Sequence, residues 1–230
     1  MSLVLAPPAP VALPCAGGGE FPVHRIYCVG RNYAEHAVEM GHSGREPPFF
    51  FMKPADAVVP VAEGETGVID YPTLTSNLHH EIELVVAIGR GGNGITAAAA
   101  PAHIWGYAVG LDMTRRDLQN EMKKQGRPWS IGKAFEQSAP IGPIVPIERC
   151  GEMLGGAITL AVNGKLRQKG DLKDLIWSVN ETIEQLSAAW TLQPGDLIYT
   201  GTPAGVGAVQ RGDVMEGAIA GLGTLKVAVR

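Results

Sequence analysis

Short apolar runs rich in Val, Ile and Leu alternate along this chain with segments dense in Gly and Pro, a rhythm that predicts a mainly β architecture with a few helices. Strands are expected at Ile26 to Val29, Phe49 to Met52, Ala57 to Pro60, Glu81 to Ile88, Tyr107 to Asp112, Ile158 to Val162, Leu197 to Tyr199 and Thr224 to Val229. Asn163-Gly164, between Ile158 to Val162 and Lys165 to Gln168, predicts a tight hairpin, because both residues accept positive φ. Three stretches switch to helical spacing. Asn32, with Glu35 three residues on, reads as a capping box opening a helix to about Met40. A second helix is expected after Thr114, carrying Arg115 to Lys124 until Gly126 stops it. The third covers Val179 to Trp190, and its apolar stripe of Ile183, Leu186 and Trp190 is read as a packing face rather than a binding one.

Composition narrows the class. A chain of 230 residues with 45% hydrophobic content can bury a sizeable core, and we expect one domain over residues 25–230 with an N-terminal arm over 1–24. The formal net charge is -4, with acids and bases mixed and no basic run, which argues against a nucleic-acid partner. Cys15, Cys28 and Cys150 are far apart and odd in number, so they suggest neither a disulfide framework nor a zinc knuckle, and a reducing cytoplasm is the expected compartment. The apolar start, Leu3 to Cys15, lacks a basic leader and is interrupted by Pro7, Pro8, Pro10 and Pro14, so it reads as an extended arm and not as an export signal. No stretch approaches the roughly 20 uninterrupted apolar residues of a membrane helix, and no membrane partner is expected.

Candidate chemistry concentrates in His79-His80-Glu81-Ile82-Glu83-Leu84-Val85-Val86. Alternation along a strand turns Glu81, Glu83 and His79 to one face and Ile82, Leu84 and Val86 to the other. Two carboxylates roughly 7 Å apart on a half-buried face call for a cation or a shared proton, and oxygen ligands suit Mg²⁺, Mn²⁺ or Ca²⁺. The ordinary alternative is a solvated edge strand with two unremarkable glutamates. Asp112 ends the apolar run Tyr107 to Leu111 and is a candidate third carboxylate, its bland reading being a helix-capping acid. His36 and Glu39 share a helix face and form a candidate general-base dyad, against the commoner reading of an incidental exposed pair. Gly41 to Gly44 would let that helix act as a lid. Lys53 and Lys133 follow apolar segments and can reach inward to a substrate carboxylate or oxyanion, or merely snorkel to solvent. Tyr199 to Gly207 is a glycine-rich candidate anion cradle without the lysine of a phosphate-binding P-loop.

Taken in order, five stretches resemble the fumarylacetoacetate hydrolase family from about Ile26 to Val229. They are Val29-Gly30-Arg31-Asn32-Tyr33-Ala34-Glu35-His36, Phe50-Phe51-Met52-Lys53-Pro54, His80-Glu81-Ile82-Glu83, Gly110-Leu111-Asp112-Met113-Thr114, and Gly195-Asp196-Leu197-Ile198-Tyr199-Thr200-Gly201-Thr202-Pro203. The resemblance implies an α+β fold, a rolled mixed β-sandwich of the type formed by that family's C-terminal domain, assembled as a homodimer. It also implies Mg²⁺ or Mn²⁺ on Glu81, Glu83 and Asp112, a water-activating dyad of His36 and Glu39, an active-site lysine at Lys133, and substrate-side positions at Arg31, Lys53, Gln119 and Thr202. The chain lacks the long N-terminal domain of the fumarylacetoacetate hydrolases proper and looks more like the short acylpyruvase and fumarylpyruvate hydrolase branch.

The activity this implies is metal-dependent hydrolysis of a C–C bond in an acylpyruvate, releasing pyruvate and a second acid, in catabolism of aromatic compounds of the gentisate type. Arg115 and Arg116 are candidates to pair with a distal carboxylate and favour fumarylpyruvate, set against the reading of two exposed helix arginines. Two rivals stand beside it. An oxaloacetate decarboxylase, or an isomerase or decarboxylase of 2-oxo diacids, would use the same metal site without a hydrolytic water. An inactive small-acid binding protein would keep the pocket alone.

Overall fold

The structure is a computed structural model and describes residues 3–7, 9–33 and 45–230. Its largest sheet is mixed and runs in the order Phe49–Lys53, Ile26–Gly30, Leu197–Tyr199, Ile82–Ile88, Ile104–Leu111, Ala139–Ile141, Val58–Pro60, with Val145–Pro146 also paired to Ile104–Leu111. A second sheet runs Lys165–Asp171, Ala157–Val162, Val214–Ile219, Gly223–Val229, Thr66–Ile69. Both are antiparallel except at three pairs: Leu197–Tyr199 with Ile26–Gly30, Ala139–Ile141 with Val58–Pro60, and Gly223–Val229 with Thr66–Ile69. The result is the expected rolled mixed sandwich.

Alternation explains how one sheet serves two cores. Ile82, Leu84, Val86 and Val109 face the second sheet and pack with Ile158, Leu160, Leu225 and Val227. Val85, Ala87, Ala108 and Tyr199 face the other way, into the roll, with Cys28, Val58, Ile141 and Leu13. The central strand is therefore buried on both faces, unlike the solvated edge strand that was its alternative reading. Gly217 lets the sheets close: a Cβ there would lie 2.4 Å from the Ile82 side chain.

Differences from the expected elements have local causes. The strand expected to begin at Glu81 divides there, Leu78–His80 joining a small sheet with Thr114–Arg115 and Gly207–Val209, and Ile82–Ile88 joining the large one. The expected arm contains a short hairpin, Ala12–Pro14 with Glu20–Pro22, which carries Leu13 into the core. Asn163 and Gly164 have φ of 51° and 74° and close the expected hairpin between Ala157–Val162 and Lys165–Asp171. The helices expected after Thr114 and from Val179 form as Arg116–Lys124 and Val179–Ala189. The second is opened by a Ser178/Glu181 capping box that periodicity had not exposed.

Whether Asn32 caps the expected helix lies outside the described residues, but its side chain has partners within them. Its side-chain oxygen accepts from Trp177 N–H at 2.7 Å, and its amide nitrogen donates to Trp177 O and Thr200 O, so it joins three segments of the fold. The remainder of that expected helix, with Glu35, His36, Glu39 and the Gly41 to Gly44 segment, lies outside the described residues. Among the described residues, no helix is long and apolar enough to cross a membrane.

Candidate active site

Strand register brings the acids together. Ile82 pairs with Leu111 and Glu83 with Gly110, so Glu81 falls opposite Asp112, and Asp112 N–H donates to Glu81 O at 2.9 Å. One carboxylate oxygen from each of Glu81, Glu83 and Asp112 lies within 4.8 Å of the others, and all three side chains are buried. Gly110 permits this pairing, since a Cβ there would meet Val85 at 2.5 Å and the Tyr199 ring at 2.8 Å.

Cations surround the acids. Lys133, at the end of the short helix Ser130–Lys133, places Nζ 2.7 Å from Glu81 Oε2 and 2.6 Å from Asp112 Oδ2. Arg116 donates to the other Glu81 oxygen and to Gln119 Oε1. Burial alone would raise the Glu81 carboxyl, but Lys133 and Arg116 outweigh it and hold the group well below the usual carboxylate range. Glu83 is different: burial, then the charges of Asp112 and Glu81, push it well above that range despite the 2.7 Å bond from Gly201 N–H. Burial opposes the Lys133 charge, yet Asp112 and Glu81 prevail and raise its pKa.

The donor set fits a hard divalent cation. Oxygens ligating one such ion lie about 4–5 Å apart or closer, which matches the spacing here. Asp112 Oδ1 is buried without a hydrogen bond: Lys53 Nζ is 2.8 Å away as an ion pair, but not along a hydrogen-bonding direction. Burial and the two neighbouring acids disfavour a charge on Glu83, so a cation among the three carboxylates would offset that penalty.

A cavity opens over the triad. Its walls include Arg31, Arg116, Gln119, Lys133 and Thr202, together with Phe51, Trp129 and the backbone at Gly30 and Gly201. Lys53, expected on the substrate side, is instead 2% exposed and sits behind Asp112, its ammonium bonded to the carbonyls of Met113 and Lys133. Of the paired arginines, Arg116 faces the acids, whereas Arg115 turns under Phe135, its guanidinium 4.4 Å from the ring centroid, away from the cavity. Neither is exposed. Of the cradle threonines, Thr200 donates to Leu84 O at 2.9 Å and only Thr202 lines the cavity. His36 and Glu39 lie outside the described residues. Sequence reasoning missed Trp129, Phe51, Gly201 N–H as the partner of Glu83, and Gln168, which bonds the strands beneath the site. Gly201 carried a signal in its place in the glycine-rich turn, and Phe51 in the stretch Phe50 to Pro54.

A buried acidic triad under a cation-lined cavity, on a rolled β-sandwich, is the construction of an enzyme active site. Residues 25–230 match the model of the fumarylacetoacetate hydrolase C-terminal domain, and the chain belongs to that family of enzymes. It is similar to the crystal structure of fumarylpyruvate hydrolase from Pseudomonas aeruginosa in complex with Mn²⁺ and pyruvate, with 60% identity, a TM-score of 0.97 and 99% of each chain covered. It is also 43% identical over 204 residues to the mitochondrial oxaloacetate tautomerase of Rattus norvegicus, covering 89% of this chain and 90% of that one. The mitochondrial oxaloacetate decarboxylase of Dictyostelium discoideum is 39% identical over 200 residues, covering 87% and 90%.

Proposed function

We propose that this protein is a divalent-metal-dependent hydrolase that cleaves an acylpyruvate, with fumarylpyruvate favoured, into pyruvate and a carboxylic acid. The observation carrying this reading is the Glu81, Glu83 and Asp112 cluster at the floor of a cation-lined cavity, in a chain 60% identical to a fumarylpyruvate hydrolase solved with Mn²⁺ and pyruvate. Glu81, Glu83 and Asp112 would hold Mg²⁺ or Mn²⁺, and could accept Ca²⁺, and the bound ion would supply Lewis acidity toward the pyruvate half of the substrate.

In this proposal the chain's own residues perform the remaining work. His36, oriented by Glu39 three residues on in the sequence, takes a proton from water, and the resulting hydroxide adds to the distal carbonyl carbon. The Lys133 ammonium stabilises the oxyanion that forms. The bond between that carbon and the pyruvate methylene then breaks, the electron pair leaving as the pyruvate enolate, which is protonated to pyruvate. Arg116 and Gln119 hold Glu81 and the cavity wall, Lys53 neutralises Asp112 from behind, and Thr202 and Arg31 contact substrate oxygens. Arg31 is the cavity cation not bonded to the triad among the described residues, which makes it the better candidate for a distal carboxylate. Residues 25–230 form the catalytic domain, residues 1–24 an appended arm, and the active form is a cytoplasmic homodimer in aromatic catabolism.

A second reading has its own support: relatives at 43% and 39% identity, matched over nearly their whole length, are an oxaloacetate tautomerase and an oxaloacetate decarboxylase. The same triad would bind that substrate's 2-oxo acid end. Protein stripped with EDTA and reloaded with Mg²⁺ or Mn²⁺ should release pyruvate fastest from fumarylpyruvate, more slowly from acetylpyruvate and least from oxaloacetate. Release from oxaloacetate alone would replace the hydrolase with a decarboxylase, and keto–enol exchange of oxaloacetate without release would make it a tautomerase.

A further inference from the structure

Gln168 is fully buried on the Lys165–Asp171 strand, four of whose seven residues are exposed or half-exposed polar or charged side chains. Its amide spans the segment His80 to Ile82, which flanks Glu81, and the turn that carries Thr202. Oε1 accepts from Ile82 N–H at 3.2 Å and lies 2.8 Å from His80 Nδ1. Nε2 donates to Thr202 Oγ1 at 2.7 Å and to Pro203 O at 2.8 Å. The backbone dictates this orientation: Ile82 N–H can only donate and Pro203 C=O can only accept, so exchanging amide oxygen and nitrogen would create two repulsive contacts.

Two proton positions follow. His80 must carry its proton on Nδ1 to face Oε1. Thr202 Oγ1 must accept from Nε2, so its own proton has to point elsewhere, and among the described residues that proton has no acceptor. Thr202 lines the cavity over the triad. We propose that Gln168 is a positioning residue that commits the Thr202 hydroxyl to donate a hydrogen bond to a carboxylate oxygen of the 2-oxo acid bound there. The inference rests on the proposed function for the identity of that ligand; the polarity of the Gln168–Thr202 bond is set by the protein alone.

The test is a double-mutant cycle on full-length, Mn²⁺-loaded protein, reading pyruvate Kd by calorimetry alongside KM and kcat, with thermal melts to establish folding. In Gln168→Glu the donor facing Thr202 becomes an acceptor, Thr202 turns its proton onto it, and the ligand loses the bond. Thr202→Val removes the hydroxyl, whereas Thr202→Ser keeps it. Gln168→Glu and Thr202→Val should each weaken pyruvate binding about tenfold, as expected for one hydrogen bond to a charged group. Thr202→Ser should bind as wild type, and the double variant Gln168→Glu/Thr202→Val no more weakly than Thr202→Val alone. Additive losses, or wild-type affinity in either Gln168→Glu or Thr202→Val, would overturn the inference while leaving the proposed function intact. Wild-type protein that neither binds pyruvate nor releases it from any acylpyruvate removes the function, and the inference with it.

Discussion

Lys133, Lys53 and Arg116 are each a long cation drawn into a site that hydrophobicity alone would exclude, and three carboxylates are what draw them. Isolated burial of any of these charges would be prohibitive; mutual pairing makes it tolerable. His79 reports on the same field. Burial, then Arg116, push its pKa down to about 4, against the opposing pull of Glu81. Its Nδ1 faces the Arg116 Nε donor at 3.3 Å and so is unprotonated. The unfolded chain takes up this proton near pH 6.5 and the native state only near pH 4. Stability of the metal-free protein should therefore be complete above pH 6.5 and fall as pH drops from there toward 4. Urea midpoints across that range should decline less steeply in His79→Gln, and identical slopes would remove His79 from the account. For the dyad proposed from sequence, His36→Ala should lower turnover by about 10²–10⁴-fold while Mn²⁺ affinity is unchanged. Full activity in that variant would eliminate His36 as the base.

Elements supply the precision these residues need. The antiparallel pairing of Ile82–Ile88 with Ile104–Leu111 converts a separation of 29 residues between Glu83 and Asp112 into adjacency at one strand end. Asn32 then ties the end of Ile26–Gly30 to Trp177 and to Thr200, fixing the turn whose next residue, Gly201, bonds Glu83. Gly201 has a φ of 101°, and a Cβ on it would sit 2.8 Å from that of Asn32. Asn32→Ala would leave two carbonyls and one N–H without their partner, a loss of roughly 2–4 kcal/mol. Ser178→Ala, which opens only the capping box of Val179–Ala189, should cost about 1 kcal/mol. Urea denaturation of the two variants in parallel tests this ranking, and equal losses would mean that Asn32 does no more than cap a helix.

At the scale of the molecule, the two sheets bury the centre of the fold, and the small sheet of Leu78–His80, Thr114–Arg115 and Gly207–Val209 adjoins Glu81 and Arg116 in sequence. Glu83 is buried beside two other acids that disfavour its charge, so the native state should gain stability from the metal it is proposed to bind. With free Mn²⁺ at a hundredfold excess over its Kd, the gain is about 2.7 kcal/mol. For a chain of this length that corresponds to a rise of roughly 5–10 °C in Tm, reversed by EDTA. Glu83→Gln, which removes a ligand together with a disfavoured charge, should melt higher than wild type without metal and show a smaller rise with it. An unchanged Tm on adding Mn²⁺ to wild-type protein would count against the metal site.

Local pattern alone determined much of this protein. Apolar runs of three to eight residues and the Asn163-Gly164 turn were legible as strands and a hairpin, because side-chain alternation and positive φ are properties of a few neighbouring residues. Motif order pointed to the three acids and Lys133. The remainder depends on register and on burial shared between distant segments. Tertiary structure made Asn32 a tie among three segments, and moved Lys53 from the substrate side to a place behind Asp112. It likewise separated Arg115 from Arg116, and gave an isolated glutamine on a polar hairpin four hydrogen bonds at the edge of the active site. A side chain's partner more than 100 residues away is set by how sheets close on one another, and no local periodicity encodes that.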